Sequence, residues 1–186
     1  MKKIMLFLAV ALLSAPAASF AQKMTVTNIN REKTYKTTER TVDVWYQGEL
    51  NVGYGLDGKV DGEDAKFGRV FVETIHGARI TKYAFVGLGL GVQYATDWES
   101  ITMPAFVDLK GYYPVTEKFA PYVNVDLGYT PVLDEGKQNG FDGGFYAAYG
   151  VGLNYGKLNF GIGCQHQALN SDYACNSFFV KVGLKF

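Results

Sequence analysis

The sequence FFVKVGLKF, at residues 178–186, alternates large apolar side chains with other residues. The apolar side chains of one parity are Phe178, Val180, Val182, Leu184 and Phe186. Successive side chains of a β-strand point to opposite faces of the sheet, so this segment predicts a strand with one fully apolar face.

Seven earlier segments extend the alternation back to residue 42. They lie at about residues 42–54, 67–80, 83–95, 102–113, 119–130, 144–155 and 157–168. The second of them is the least clear, because Phe71 and Ile75 share the parity of its charged residues. The connections between segments are alternately long and short, as hairpins of a meander require. The pattern therefore predicts an all-β fold, an eight-stranded antiparallel up-and-down β-barrel.

The residue types on the two faces indicate which face is outside. A soluble barrel would carry many Lys and Glu outside, but the polar face here is mostly Gly, Asn, Gln and Tyr. Aromatic residues of the apolar face, such as Tyr54, Tyr94 and Phe186, lie near strand ends, as in the interfacial girdles of membrane barrels. This favours a transmembrane barrel with its apolar face towards lipid. A soluble lipocalin-like carrier is the alternative.

Charged residues of the strands share the polar parity, which places them in the predicted lumen. The acidic and basic members are equal in number: Asp43, Glu49, Glu73, Asp108 and Asp126, with Arg69, Arg79, Lys110, Lys181 and Lys185. Unpaired charges are costly in a confined, poorly hydrated space. We therefore expect a polar network of paired charges inside the barrel.

The first residues are typical of a secretory signal peptide over residues 1–21. Lys2 and Lys3 precede the apolar residues 4–13, and Ser19 and Ala21 provide small side chains at a cleavage site. Ten apolar residues are too few to span a bilayer. Residues 22–40 are polar and predict a flexible periplasmic tail, which leaves 41–186 as the barrel domain.

Residues 41–186 resemble the small eight-stranded outer-membrane β-barrels of Gram-negative bacteria, the group with OmpA-type and OmpX-type transmembrane domains. The most specific element is the strand of residues 178–186 with its final aromatic residue. The resemblance implies that Phe178, Val180, Val182, Leu184 and Phe186 form the signal that the outer-membrane insertion machinery reads. It also implies a location in the outer membrane with both termini in the periplasm. We expect no peptidoglycan-binding domain after the eighth strand, in contrast to the OmpA pattern.

Charge is balanced overall, with 18 basic and 18 acidic residues, which argues against nucleic acid as a partner. The long connections are acidic, and three lysines, Lys59, Lys66 and Lys137, are their basic residues. Their acidic residues are Asp57, Asp61, Glu63, Asp64, Asp97, Glu99, Asp134, Glu135, Asp142 and Asp172. We expect a monomer whose outer rim shares divalent cations with lipopolysaccharide and contacts outer-membrane lipid.

Motifs for a cofactor, a metal ion or catalysis are weak. The glycines of residues 87–91 lie within a strand, without the helix that a phosphate loop needs. Residues 57–68 resemble a calcium loop, but Lys59 occupies a ligand position and Gly68 replaces the bidentate Glu. We therefore predict no cofactor, no resident metal site and no catalytic residue.

A non-enzymatic, membrane-stabilising or surface-interaction role follows from these observations. The interior of an eight-stranded barrel is just wide enough for side chains, which argues against a diffusion pore. The alternative is a barrel enzyme that modifies outer-membrane lipid, for which His166 is the candidate at the rim. His76 is far from it in sequence. Whether Cys164 and Cys175 form a disulfide stays open at this point.

Overall fold

The structure is a computed structural model that describes residues 24–26, 42–56, 58–60, 63–65, 68–96, 100–133, 143–168 and 174–186. The strands are β1 Met24–Val26, β2 Val42–Gly55, β3 Gly58–Val60, β4 Glu63–Ala65, β5 Arg69–Ile80, β6 Ala84–Ala95, β7 Ser100–Thr102, β8 Ala105–Tyr112, β9 Phe119–Leu133, β10 Gly143–Tyr155, β11 Leu158–Ala168 and β12 Ala174–Lys185. The predicted signal peptide lies outside the described residues. So does most of the predicted tail, but β1 pairs antiparallel with the start of β2.

Eight strands close into an antiparallel barrel, which confirms the predicted fold class. The order around the barrel is β2, β5, β6, the pair β7 and β8, β9, β10, β11 and β12. Closure is made by β12 against β2, with Leu184 opposite Leu50 and Val180 opposite Tyr54. Each long strand therefore has two hydrogen-bonded neighbours, and the barrel wall has no free edge along this seam.

The two ends of the barrel differ in their connections. The short-turn end carries the connections at residues 81–83, 113–118 and 156–157, and the long-loop end carries the others. Gly156 has a φ of +59°, a left-handed conformation that suits glycine in the tight turn between β10 and β11. At the long-loop end, β3 and β4 form a hairpin whose first strand pairs with β12 at Lys59 and Asn176.

The fourth barrel strand, predicted as one segment, is two strands. The break falls at Met103 and Pro104, because proline has no N–H to donate to a neighbouring strand. The carbonyl of Pro104 still accepts a hydrogen bond of 2.9 Å from the amide of Gly91, which holds the wall together across the break.

Glycines of the inner face make room for large interior rings. A Cβ on Gly89 would approach the Phe106 ring to 2.3 Å, and one on Gly53 would approach the Phe71 ring to 2.2 Å. The Phe106 ring packs in turn against Tyr146, with centroids 5.4 Å apart. No helix in the described residues is long and apolar enough to cross a membrane.

Candidate functional site

The barrel is apolar outside, and its interior combines buried polar and charged side chains with aromatic rings. Its described exterior is a continuous band of aliphatic and aromatic side chains in which Leu88 is 69% exposed and Ile162 is 59% exposed. The interior buries Glu49, Asp108 and Lys110 almost completely. Water-soluble proteins bury the opposite kind of side chain, so this distribution is that of a transmembrane barrel surrounded by lipid.

Lys110 lies at the centre of the first interior cluster. Its Nζ is 2.5 Å from Glu49 Oε2 and 2.8 Å from Asp108 Oδ2. Gln47 Nε2 donates a 2.8 Å hydrogen bond to the other oxygen of Glu49, and Tyr112 Oη donates a longer one of 3.4 Å. One ammonium group therefore contacts two buried carboxylates, and neutral donors add hydrogen bonds to Glu49.

Lys181 lies at the centre of a second interior cluster, which adjoins the first through Asp126 and Asp108. Its Nζ is 2.8 Å from Glu73 Oε1 and 4.0 Å from Asp126 Oδ2. Asn51 Nδ2 donates a 3.0 Å hydrogen bond to Glu73. Asp126 stands directly opposite Asp108 in the register of β9 and β8. The two lysines therefore lie beside neighbouring acidic side chains and offset the repulsion between them.

Two arginines occupy the interior towards opposite ends of the barrel. Arg69, near the long-loop end, donates hydrogen bonds to Gln167 and Ser177. Arg79, near the short-turn end, lies with its guanidinium carbon 3.5 Å from the centroid of the Tyr112 ring. Arg79 also donates to the Gln47 side chain at 3.1 Å. Polar side chains thus link different strands of the wall at several positions along the barrel axis. Together with the buried aromatic rings they occupy the lumen.

Asp43 and Lys185 do not share the burial of the other eight predicted lumen residues. Asp43 is exposed and Lys185 is half-buried, both at the short-turn end. The place of Asp43 in the polar network stays a prediction, because parity fixes the face of a strand but not how far a residue lies from the barrel end. The buried predicted residues are Glu49, Glu73, Asp108, Asp126, Arg69, Arg79, Lys110 and Lys181.

Neutral residues complete the network, and the sequence reasoning did not single them out. Gln93 Oε1 accepts hydrogen bonds of 3.0 Å from both Gln165 and Gln167. Asn159 Nδ2 donates to Asn51 Oδ1 at 2.9 Å. Their inward parity was visible, but their partners lie on strands distant in sequence. Charge alone therefore identified the ionic part of the network and missed the amides that extend it.

The five residues of the predicted insertion signal all lie on the exterior, where Phe178 is 62% exposed and Phe186 is 56% exposed. Phe186 exchanges two backbone hydrogen bonds with Gly48 of β2, of 2.8 and 2.9 Å. Its ring covers Gly48, where a Cβ would approach it to 2.4 Å, and meets the His76 ring edge-on at 6.1 Å. Phe186 thus lies at the seam between the first and last barrel strands.

The two histidines lie on the exterior, far apart. His76 Nδ1 bonds to the Tyr46 hydroxyl at 2.6 Å, and its Nε2 bonds to the Thr74 hydroxyl at 2.9 Å. Both ring nitrogens are therefore satisfied, which explains how this imidazole is accommodated beside lipid. His166 Nδ1 bonds to Asn176 Oδ1 at 2.7 Å.

Neither cysteine forms a disulfide. Cys164 faces outward opposite Phe178, whereas Cys175 is buried inside opposite Gln167. They lie on opposite faces of the barrel wall, so the disulfide left open by the sequence is not formed.

Most acidic loop residues lie outside the described residues, namely Asp57, Asp61, Asp97, Glu99, Asp134, Glu135, Asp142 and Asp172. Glu63 and Asp64 belong to the β3–β4 hairpin at the long-loop end. Within the described part of the chain, no group of three or more His, Cys, Asp or Glu side chains is arranged to hold a metal ion.

Solved membrane barrels share this architecture. The outer membrane enzyme PagL matches with a TM-score of 0.56 and 10% identity, over 73% of this chain and 98% of that chain. Neisserial surface protein A (NspA) matches with a TM-score of 0.51 and 12% identity, over 77% and 97%. No protein-family model and no curated protein sequence matches the chain. At these identities the likeness shows the fold alone. One of these two proteins, PagL, is an enzyme.

Proposed function

We propose that this protein is a monomeric, integral outer-membrane barrel with a non-enzymatic role in stabilising the membrane and contacting partners at the cell surface. The observation that carries the proposal is the inside-out distribution of polarity: a continuous apolar exterior around an interior closed by paired charges. Such an interior links the strands instead of conducting solutes. Fractionation of cells should recover the protein in outer membranes, and recovery from the soluble periplasm would refute the proposal.

The filled lumen supports a barrel without an open pore. Lys110, Lys181 and their carboxylate partners cross the interior at its centre. Arg79 closes it further at the short-turn end by stacking on Tyr112. Purified protein in planar bilayers should therefore show no steady ionic conductance. A large, stable conductance in monomeric preparations would contradict this arrangement.

The acidic long connections support an association with anionic lipopolysaccharide through shared divalent cations. In this proposal the long-loop end faces the cell surface, and both termini face the periplasm. Chelation of calcium and magnesium should weaken the barrel's thermal stability in vesicles that contain lipopolysaccharide. Unchanged stability after chelation would remove this part of the proposal.

A second candidate function is the modification of membrane lipid at the exterior. The observation that favours it is the His166 imidazole, which is half-buried near the rim and held by Asn176 through a 2.7 Å hydrogen bond. His166→Ala should change the lipid A or phospholipid profile of cells that produce the protein. Identical profiles would remove this candidate and leave the first.

A further inference from the structure

A hollow of about 820 Å³ lies in the barrel exterior towards the short-turn end. Its lining includes one row of register partners that crosses five neighbouring strands, from β8 to β12. The members of this row are Gly111, Val123, Val151, Ile162 and Val180. The four apolar side chains are each about half exposed, so the hollow opens towards the surrounding lipid. Its volume is that of a site for a small molecule.

The hollow has an open floor and an aromatic rim. A Cβ on Gly111 would meet only Val123, at 3.5 Å, so the wall leaves space above this glycine. Tyr83 and Tyr113 line the hollow at its short-turn end, where they are 54% and 74% exposed. Tyrosines are enriched where headgroups meet acyl chains, because the ring is apolar and the hydroxyl is polar. The hollow therefore begins at the level of the headgroups and extends into the acyl-chain region.

The short-turn end beside the hollow is basic. Lys82 is exposed, and its Nζ lies 5.2 Å from the centroid of the Tyr83 ring. Lys118 is exposed in the turn that follows Tyr113, and the Tyr113 amide donates a 2.9 Å hydrogen bond to the carbonyl of Pro121, which also lines the hollow. The three connections at this end contain three lysines and one glutamate. Lysines at this level of a membrane attract anionic lipid headgroups.

We propose that the hollow is a binding site for one anionic phospholipid. An acyl chain lies over Val123 and Val151, and the headgroup phosphate lies at Lys82 and Lys118. A headgroup with a net negative charge fits this rim better than phosphatidylethanolamine, whose own ammonium group would lie among the lysines. The inference rests on the proposed orientation of the barrel, which assigns the bound lipid to the periplasmic leaflet.

The test measures which lipids remain bound to the full barrel. The protein is reconstituted in vesicles of equal amounts of phosphatidylglycerol and phosphatidylethanolamine, extracted in mild detergent and examined by native mass spectrometry. The wild type should retain phosphatidylglycerol in preference. The double variant Lys82→Gln, Lys118→Gln should lower this preference by roughly 10- to 30-fold. Lys59→Gln, the matched control at the long-loop end, should keep the preference of the wild type.

A second pair of variants tests the hollow itself. Gly111→Leu places a side chain in the open space and should lower the number of retained lipids of both kinds. Leu88→Phe adds a similar volume at an exterior position that does not line the hollow, and should change nothing. Heat-modifiable migration verifies that each variant has folded.

The results that would overturn the site are specific to it. Equal retention of both lipids by the wild type would do so, as would a preference that the double lysine variant keeps. A preference lost equally in Lys59→Gln would also overturn it, because the effect would then follow total charge instead of position. Fractionation tests the membrane location separately, so recovery in outer membranes would leave the proposed function in place even if this site fails.

Discussion

Removing the ammonium group of Lys110 should strongly destabilise the barrel. Its Nζ lies 2.5 Å from Glu49 and 2.8 Å from Asp108, and its side chain is 1% exposed. At an effective dielectric of about 20, each contact corresponds to an attraction of about 6 kcal/mol. Burial of the lysine itself offsets several kcal/mol of this sum, so we expect Lys110→Met to lower the free energy of unfolding by about 3–5 kcal/mol.

The control variant tests whether stranded carboxylates cause the loss. The triple variant Glu49→Gln, Asp108→Asn, Lys110→Met removes all three charges and keeps similar side-chain volumes. It should recover most of the stability, because a neutral replacement for a buried ion pair is often tolerated. If the loss came instead from the space that the lysine side chain leaves, the single and triple variants would be destabilised equally.

The assay is urea unfolding of the refolded barrel in lipid vesicles, followed by tryptophan fluorescence and by heat-modifiable migration. An exposed ion pair contributes about 1 kcal/mol or less. A loss of unfolding free energy below that value in Lys110→Met would refute the argument that the buried ion pairs of Lys110 stabilise the barrel. Equal losses in the single and triple variants would refute the role assigned to the carboxylates.

Three further changes, two of them with a matched variant, test other parts of the structure. Gly89→Ala should cost about 1–3 kcal/mol of unfolding free energy in the same assay, because its Cβ would approach the Phe106 ring to 2.3 Å; Gly111→Ala, whose Cβ would meet only Val123 at 3.5 Å, should be nearly neutral. Removal of Phe186 should impair membrane insertion and leave secretion across the inner membrane intact, and normal heat-modifiable migration of the truncated protein would contradict this. Lys181→Met should destabilise the barrel through Glu73, and Glu73→Gln in the same chain should restore part of the loss, as unfolding midpoints would show.

Local alternation was enough to predict the eight strands and the face of most of them, because side-chain direction depends only on position along a strand. It was ambiguous for β5, where Phe71 and Ile75 share the parity of Glu73 and the structure buries all three. It could not predict the β3–β4 hairpin, whose pairing with Asn176 joins segments distant in sequence. The break at Pro104 could have been predicted from the sequence, because a proline in a central strand interrupts the hydrogen bonds to the neighbouring strand.

The interior network was predicted only in part, for a related reason. The charges of Glu73 and Lys181 stand out in an apolar strand, but the sequence does not show which acid faces which base across the lumen. Strand tilt and stagger decide that, together with the depth at which Asp43 reaches solvent. The bond between His166 and Asn176 likewise required the register of β11 and β12.

The bonds between Gly48 and Phe186 have a consequence for the kinetics of folding. They join the first barrel strand to the last, so the loop that they close contains nearly the whole barrel. Contacts this distant in sequence form late and slowly, since most of the chain's entropy must be lost before they form. Hairpins such as β10–β11 can assemble early, but the wall becomes continuous only when this final pairing forms. Until then two strand edges remain open, and each could pair with a strand of another chain.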